Sequence, residues 1–115
     1  MSLGSTQELF MRLLPRLIDK AHSLGFEVRG GDLFRDSRTH GYIGESKGYG
    51  HKNSCHKLKL AIDLNLFKGG EFIQSTEEHE ELGAWWKHQH ELCRWGGDFS
   101  SPDGNHYSLE YNGSK

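Results

Sequence analysis

The sequence predicts a small α+β domain in which helices flank an antiparallel sheet. Three observations support this fold class. Apolar residues near the N-terminus recur with helical spacing, a central segment alternates apolar and polar residues, and a hairpin, a second helix and two strands follow in that order. Because 115 residues can bury a single hydrophobic core, we expect one domain over residues 1–115.

The first predicted element is an amphipathic helix with one wide apolar face. Thr6 is the expected N-cap, Gly25 the expected C-terminal stop, and Pro15 predicts a kink or a break. Residues 1–5 are expected to be disordered or a cloning remnant. A short strand over Phe26–Arg29 should follow the helix. The apolar face contains Leu9, Phe10, Leu13, Leu14, Leu17, Ile18, Ala21 and Leu24.

The middle of the chain predicts a long loop followed by a β-hairpin. Residues 30–53 contain six glycines among polar residues, which indicates an irregular and functional loop. Leu60–Phe67 alternates apolar and polar side chains as a strand does. The segment Lys68–Gly70 supplies a turn, and Glu71–Gln74 is expected to return as the partner strand.

The last third predicts a helix and two strands. Ser75 stands three residues before Glu78, which is the spacing of a capping box, so a helix should run to about Leu92. Two final strands are expected over 95–99 and 106–111.

Composition excludes several classes of partner. The net charge is −2 and the charges are mixed along the chain, so no nucleic-acid partner is expected. No apolar run can span a bilayer, so no membrane partner is expected. The N-terminus lacks the layout of a signal peptide, which predicts synthesis in the cytoplasm. Cys55 and Cys93 match no metal pair or disulfide framework, and we expect reduced thiols. The oligomeric state is open, with a monomer expected.

One constellation has the composition of a catalytic zinc site. Such a site keeps three protein ligands and an open position, and His56, Asp63 and His106 form a suitable donor set. Asp103 stands three residues before His106 on a predicted turn, where a general base would be useful. On spacing alone, an isolated pair such as His56 and Asp63 is more often two surface polar residues than two metal ligands.

The surrounding motifs resemble those of the M15 metallopeptidases, the group with D-Ala-D-Ala carboxypeptidases, dipeptidases and phage L-Ala-D-Glu endolysins. The family signature is S-x-H-x-x-G-x-A-x-D, followed downstream by an acidic residue, two positions and His. The segment Trp95–Phe99 resembles the tryptophan-glycine-glycine run of phage-type members, and the resemblance spans about 26–110. The residues that match the two motifs are Ser54, His56, Ala61, Asp63, Asp103 and His106.

The resemblance implies an M15 fold, which hedgehog signalling domains share, and a zinc-dependent peptidase. The expected substrate is the peptidoglycan stem peptide or its cross-link. One Zn²⁺ per chain would be held by His56, Asp63 and His106, with Asp103 as the base. Arg35 would bind a substrate carboxylate or the developing oxyanion, since its planar fork suits two-point contacts.

Several roles stay open at this stage. Arg35 can instead form a surface salt bridge, in which case Arg38 is the candidate. Ser54 either orients a ligand or caps the loop. Asp98 is expected to be structural, and Lys59 replaces the family glycine. A positive φ at position 59 would make this replacement costly.

The resemblance also suggests a biological setting. A phage or prophage lysis enzyme would act on the wall after release through a membrane lesion. The alternative is a non-catalytic, zinc-stabilised module of the same fold that binds cell wall or protein, as related animal signalling domains do.

Overall fold

The described residues form a five-stranded antiparallel sheet with helices packed on it, which confirms the predicted small α+β class. The structure is a computed structural model that describes residues 1–48 and 50–115. Tyr49 belongs to the predicted glycine-rich loop and lies outside the described residues. No helix among the described residues is long and apolar enough to cross a membrane.

Helix α1 spans Leu3–Ser23 and begins earlier than expected. Ser2 is its N-cap, because its hydroxyl accepts a hydrogen bond from the Ser5 amide. Thr6, the predicted cap, is buried inside the helix and donates its hydroxyl to the Ser2 carbonyl at 2.7 Å. Residues 3–5, expected to be disordered or a cloning remnant, are helical.

Pro15 lies inside α1, and the helix continues through it, so the predicted break is wrong. The proline faces solvent, opposite the apolar face that packs into the core. The helix ends as predicted, with Gly25 at a φ of +90°. The buried residues of α1 are Thr6, Phe10, Leu13, Leu14, Leu17 and Ala21.

The sheet is built on one long central strand. The strand order is β1-β2-β5-β4, and β3 pairs with β2 beyond the end of β5. The first three strands lie within about a residue of their predicted positions. The strands are β1 (Glu27–Gly30), β2 (Ala61–Lys68), β3 (Glu71–Ile73), β4 (Cys93–Trp95) and β5 (His106–Leu109).

Three predictions in the last third were too long: the helix, the strand over 95–99, and the strand over 106–111, which ends at Leu109. A 3₁₀ turn at Glu77–His79 leads into α3 (Glu80–Lys87), which ends before Leu92 because the chain then turns to pair β4 with β5. The strand expected over 95–99 stops at Trp95. Two glycines follow, and Gly96–Asp98 forms a 3₁₀ turn.

The loop between β1 and β2 contains the short helix α2 (Ser37–His40). Within this loop, His40 is buried and His51 is exposed. Cys55 and Cys93 are both free and buried. Burial raises the pKa of each thiol to about 12, so both are poor nucleophiles.

Candidate metal centre

His56, Asp63 and His106 come together as a possible metal-binding group. Each offers one ligand atom, and these atoms all lie within 4.8 Å of one another. Both histidines are buried and the aspartate is partly buried. Residues that are 50 positions apart in sequence therefore converge on one point.

Strand register places two members of this group side by side. Asp63 on β2 is the direct cross-strand partner of His106 on β5, so the two side chains share one face of the sheet. The segment that follows β1 also holds the backbone of Asp63. Its amide donates to the Asp32 carbonyl, and the Gly31 amide donates to its carbonyl, both at 2.8 Å.

His56 lies on a 3₁₀ turn, Cys55–Leu58, just before β2. Ser54 caps this turn by accepting a hydrogen bond from the His56 amide at 3.2 Å. Lys59 ends the turn in the left-handed conformation, with φ 59° and ψ 35°. The spacing between His56 and Asp63 thus reflects one turn, one left-handed residue and the start of a strand.

The ring of His56 is oriented to offer a lone pair towards Asp63. Its Nδ1 lies 3.1 Å from the Leu33 carbonyl, which can only accept a hydrogen bond, so Nδ1 carries the proton. In the neutral ring, Nε2 then presents a lone pair 3.1 Å from Oδ1 of Asp63. Two such acceptors repel each other unless a proton or a cation lies between them. This arrangement fits a metal ion.

His106 has the properties of a neutral ligand. Its Nδ1 lies 3.7 Å from Oδ1 of Asp63. Burial, and then the nearby His56 ring, lower the pKa of His106 to about 4, so a lone pair is available at neutral pH. Its buried Nε2 has no hydrogen-bond partner among the described residues. The donor set of two imidazoles and one carboxylate is one that zinc accepts.

An open cleft of about 690 Å³ gives access to this group. His56, His106 and Asp103 all line it. The Asp103 side chain reaches solvent, yet surrounding protein removes part of its hydration. This desolvation, and then the negative charge of Asp63, raise the pKa of Asp103 above its usual value.

The family model for D-alanyl-D-alanine carboxypeptidases, of the M15 peptidases, matches residues 47–109, which is more than half of the chain. The chain belongs to the M15 peptidase family. The matched segment contains both histidines, Asp63 and Asp103, and it ends before the C-terminal residues. A comparison with curated proteins found no match.

Arg35 lies outside the segment that matches the M15 model, but its side chain lines the same cleft. Its Nε pairs with Asp32 at 3.2 Å, and its Nη1 donates to the Ser54 hydroxyl at 3.2 Å. Gly50 makes room for the guanidinium, since a Cβ there would lie 2.3 Å from Nη1. Arg38, the fallback, points to solvent and pairs with Asp36.

Of the two roles left open by the sequence, Ser54 takes that of the cap, and its hydroxyl contacts Arg35 rather than a side chain of the metal-binding group. It caps the turn of His56 and also accepts the hydrogen bond from Arg35. The Ser54 hydroxyl therefore orients the side chain of Arg35, and it holds His56 in place through the His56 backbone amide. The Arg35 amide donates to the His56 carbonyl at 3.0 Å, which ties the two segments together again.

Other acidic residues differ in their access to the cleft. Asp98 lines it, and its carboxylate pairs with Lys87 at 2.8 Å. Glu110 pairs with Arg94 at 3.0 Å and is not among the residues that line the cleft. Asp98 is thus the only one of these two that can reach a substrate there.

Two features of the site and one of the core were missed from the sequence. The Phe99 ring lies 5.2 Å from the His106 ring, centroid to centroid. Gly113–Lys115 lines the cleft because a two-residue turn at Asn112 and Gly113 returns the chain. His79 is buried against the Tyr107 hydroxyl at 2.8 Å. The Asn-Gly dipeptide is a turn signal that could have revealed the second feature.

Proposed function

We propose that this M15 peptidase hydrolyses a peptide bond in the peptidoglycan stem peptide or its cross-link, with one zinc ion held by His56, Asp63 and His106. The fold would then be the one that M15 peptidases share with hedgehog domains, over residues 1–115 as one domain. The observation that carries the proposal is a three-residue donor set beside an open cleft that Asp103 also lines. Structural zinc sites are usually closed by four protein ligands.

The residues of the cleft suit peptide hydrolysis. When bound, zinc would act as a Lewis acid towards the scissile carbonyl and lower the pKa of water. Asp103 would take the proton of the attacking water and pass it to the leaving amine. Its raised pKa supports this role, because a base with a pKa closer to the working pH both accepts and returns a proton readily.

Arg35 would bind the substrate by charge. Its guanidinium is held by Asp32 and Ser54 at the cleft, so little freedom is lost when it binds a carboxylate or the developing oxyanion. The acidic groups of a stem peptide would supply such a carboxylate. The expected partner is therefore peptidoglycan peptide rather than a neutral polymer.

The biological setting is part of the same proposal. The segment Trp95–Phe99 resembles that of phage-type members, which supports a phage or prophage lysis enzyme. Such an enzyme would be made in the cytoplasm and reach the wall through a membrane lesion. Cells that produce the protein should then lyse only after their membrane is permeabilised.

The decisive experiment joins metal content with wall cleavage. Protein purified without chelator should contain about one zinc per chain and clear a suspension of permeabilised bacteria. Mass spectrometry of released fragments would identify the bond that is cut. His56→Ala and His106→Ala should lose both metal and activity, whereas both variants retaining stoichiometric zinc would contradict the ligand assignment. A zinc-loaded parent that binds peptidoglycan without cutting it would support the binding module instead.

A further inference from the structure

The turn that carries Asp103 is held from one side by a buried tryptophan. We propose that Trp95 is a positioning residue for Asp103. Its indole N–H donates a hydrogen bond to the Gly104 carbonyl and so places the Asp103 carboxylate in the cleft. This inference rests on the proposed function of Asp103 as the base. It assigns Trp95 a role in the reaction beyond packing in the core.

The position of the indole leaves it little freedom. Its Nε1 donates to the Gly104 carbonyl at 2.7 Å, in a buried hydrogen bond. The ring lies between Gly83 of α3 and Gly97, since a Cβ at either glycine would come within 2.3 Å of a ring atom. A side chain at Gly83 or Gly97 would clash with the indole, so the ring fits only because both residues are glycine. This close packing keeps the indole N–H near the Gly104 carbonyl.

The backbone around Asp103 is fixed by the segment next to the tryptophan. The Asp103 amide donates to the Gly96 carbonyl at 2.9 Å, and the Asp103 carbonyl accepts from the His106 amide at 3.1 Å. Gly96 lies so close that a Cβ on it would be 2.1 Å from the Asp103 carbonyl oxygen. On the far side, a Cβ on Gly104 would be 2.5 Å from Cα of Thr76.

The carboxylate itself has no comparable support. Within the part of the chain that the structure describes, no side chain or amide donates a hydrogen bond to the Asp103 carboxylate. Its position is therefore set by the backbone of its turn. Trp95 is the one described side chain that donates a hydrogen bond to the backbone of that turn. The tryptophan therefore helps to set the position of the Asp103 carboxylate.

A purely structural role for Trp95 is separable by experiment, because the chain offers a matched control. Trp86 is also buried, and its indole N–H also donates to backbone carbonyls, those of Arg94 and Ser108. Neither carbonyl belongs to the turn that carries Asp103. Trp95→Phe and Trp86→Phe therefore make the same chemical change at two places.

The expected results differ between the two variants. At saturating zinc, Trp95→Phe should lower kcat at least about tenfold, because a displacement of about 1 Å can cost about a hundredfold in rate. Its zinc affinity and KM should stay within about twofold of the parent. Trp86→Phe should keep the parental kcat. An equal loss of kcat in both variants, or none in Trp95→Phe, would overturn the inference.

A double variant tests whether Trp95 acts through Asp103. In an Asp103→Asn background, Trp95→Phe should lower the residual rate by less than about twofold, because the group that it positions is already gone. If Trp95→Phe lowers the rate of Asp103→Asn by the same factor as it lowers the rate of the parent, Trp95 acts independently of Asp103. If Trp95→Phe folds poorly, benzothienylalanine at position 95 keeps the ring's shape and removes only the N–H donor.

A measurement on metal-free protein separates this inference from the proposed function. The Asp103 and His106 amides should exchange hydrogen faster in Trp95→Phe than in Trp86→Phe, because their hydrogen bonds depend on the held turn. Unchanged exchange would refute the positioning role even in an active enzyme. A parent without peptidase activity would refute the proposed function, and the exchange result would still decide the role of Trp95.

Discussion

Lys59 occupies a left-handed backbone conformation at the end of the turn that carries His56. A side chain with a Cβ is disfavoured in this conformation by about 1 kcal/mol relative to glycine. Lys59→Gly should therefore raise the free energy of unfolding by about that amount. Urea unfolding of the metal-free protein would measure it. The left-handed backbone thus accounts for the glycine of the family motif, and we expect the lysine at this position to lower stability.

The control for this prediction is Lys59→Ala. Alanine keeps the Cβ and removes the ammonium, which lies 5.0 Å from the centre of the Phe34 ring. It should give no gain in stability. Equal stabilisation by alanine and glycine would contradict the backbone explanation and assign the cost to the lysine side chain.

Asp103 provides the second prediction at the level of single residues. Asp103→Asn keeps the shape and removes the proposed proton acceptor, so wall cleavage should fall by about 10² to 10⁴-fold. Zinc content should stay at the parental level, as measured by metal analysis. Asp98→Asn is the matched control, because Asp98 lines the same cleft but pairs with Lys87. Loss of zinc from Asp103→Asn would instead identify Asp103 as a ligand.

Among the elements, α1 tolerates Pro15 at a cost. A proline in a helix interior removes one hydrogen bond and costs up to about 3 kcal/mol. Since Pro15 faces solvent, Pro15→Ala should raise the free energy of unfolding by roughly 1–3 kcal/mol without changing the core. Arg16→Ala, at the exposed neighbouring position, should change it by less than about 0.5 kcal/mol. No gain from Pro15→Ala would mean that the helix has already adapted to the proline.

The elements also show what local sequence can and cannot predict. The helix α1 and the strand β2 were predictable, because their periodic apolar residues are the ones that the core buries. The end of α3 and the turn after Trp95 were not, because they depend on contacts between distant segments. Gly96 and Gly97 look like ordinary turn residues until the closeness of Asp103 and the indole is known.

The candidate site divides in the same way. The residues of the possible metal group could be selected from their chemical type and the family motif, and the structure brings them together. The contacts of Arg35 with Ser54 and of Trp95 with Gly104 have no signature in local sequence. They arise from the way that a loop and a turn fold back on the sheet, so only the tertiary structure reveals them.

For the molecule as a whole, acid stability should depend on His79. Its ring is 1% exposed and lies between the Tyr107 hydroxyl and the Ile73 carbonyl. Burial lowers the pKa of His79 below its usual 6.5. Below about pH 6.5 the unfolded chain therefore binds a proton that the folded protein resists, so stability falls as the pH falls.

His79→Gln should make this dependence on pH weaker. The free energy of unfolding of metal-free protein, measured from about pH 7 to about pH 5, should fall less steeply in the variant than in the parent. His22→Gln is the control, because His22 is exposed and water hydrates it in the folded and unfolded states alike. Parallel curves for parent and His79→Gln would refute the prediction.

The pairing of Asp63 with His106 divides the chain into parts that can change length and parts that cannot. A single residue inserted in β2 or β5 would turn one of these side chains to the opposite face of the sheet. Insertions between 31 and 54, or at 99–102, would leave that pairing intact and reshape the walls of the cleft. Relatives that cut different bonds should therefore differ in length in those two loops, and a library that seeks new specificity should vary its length there.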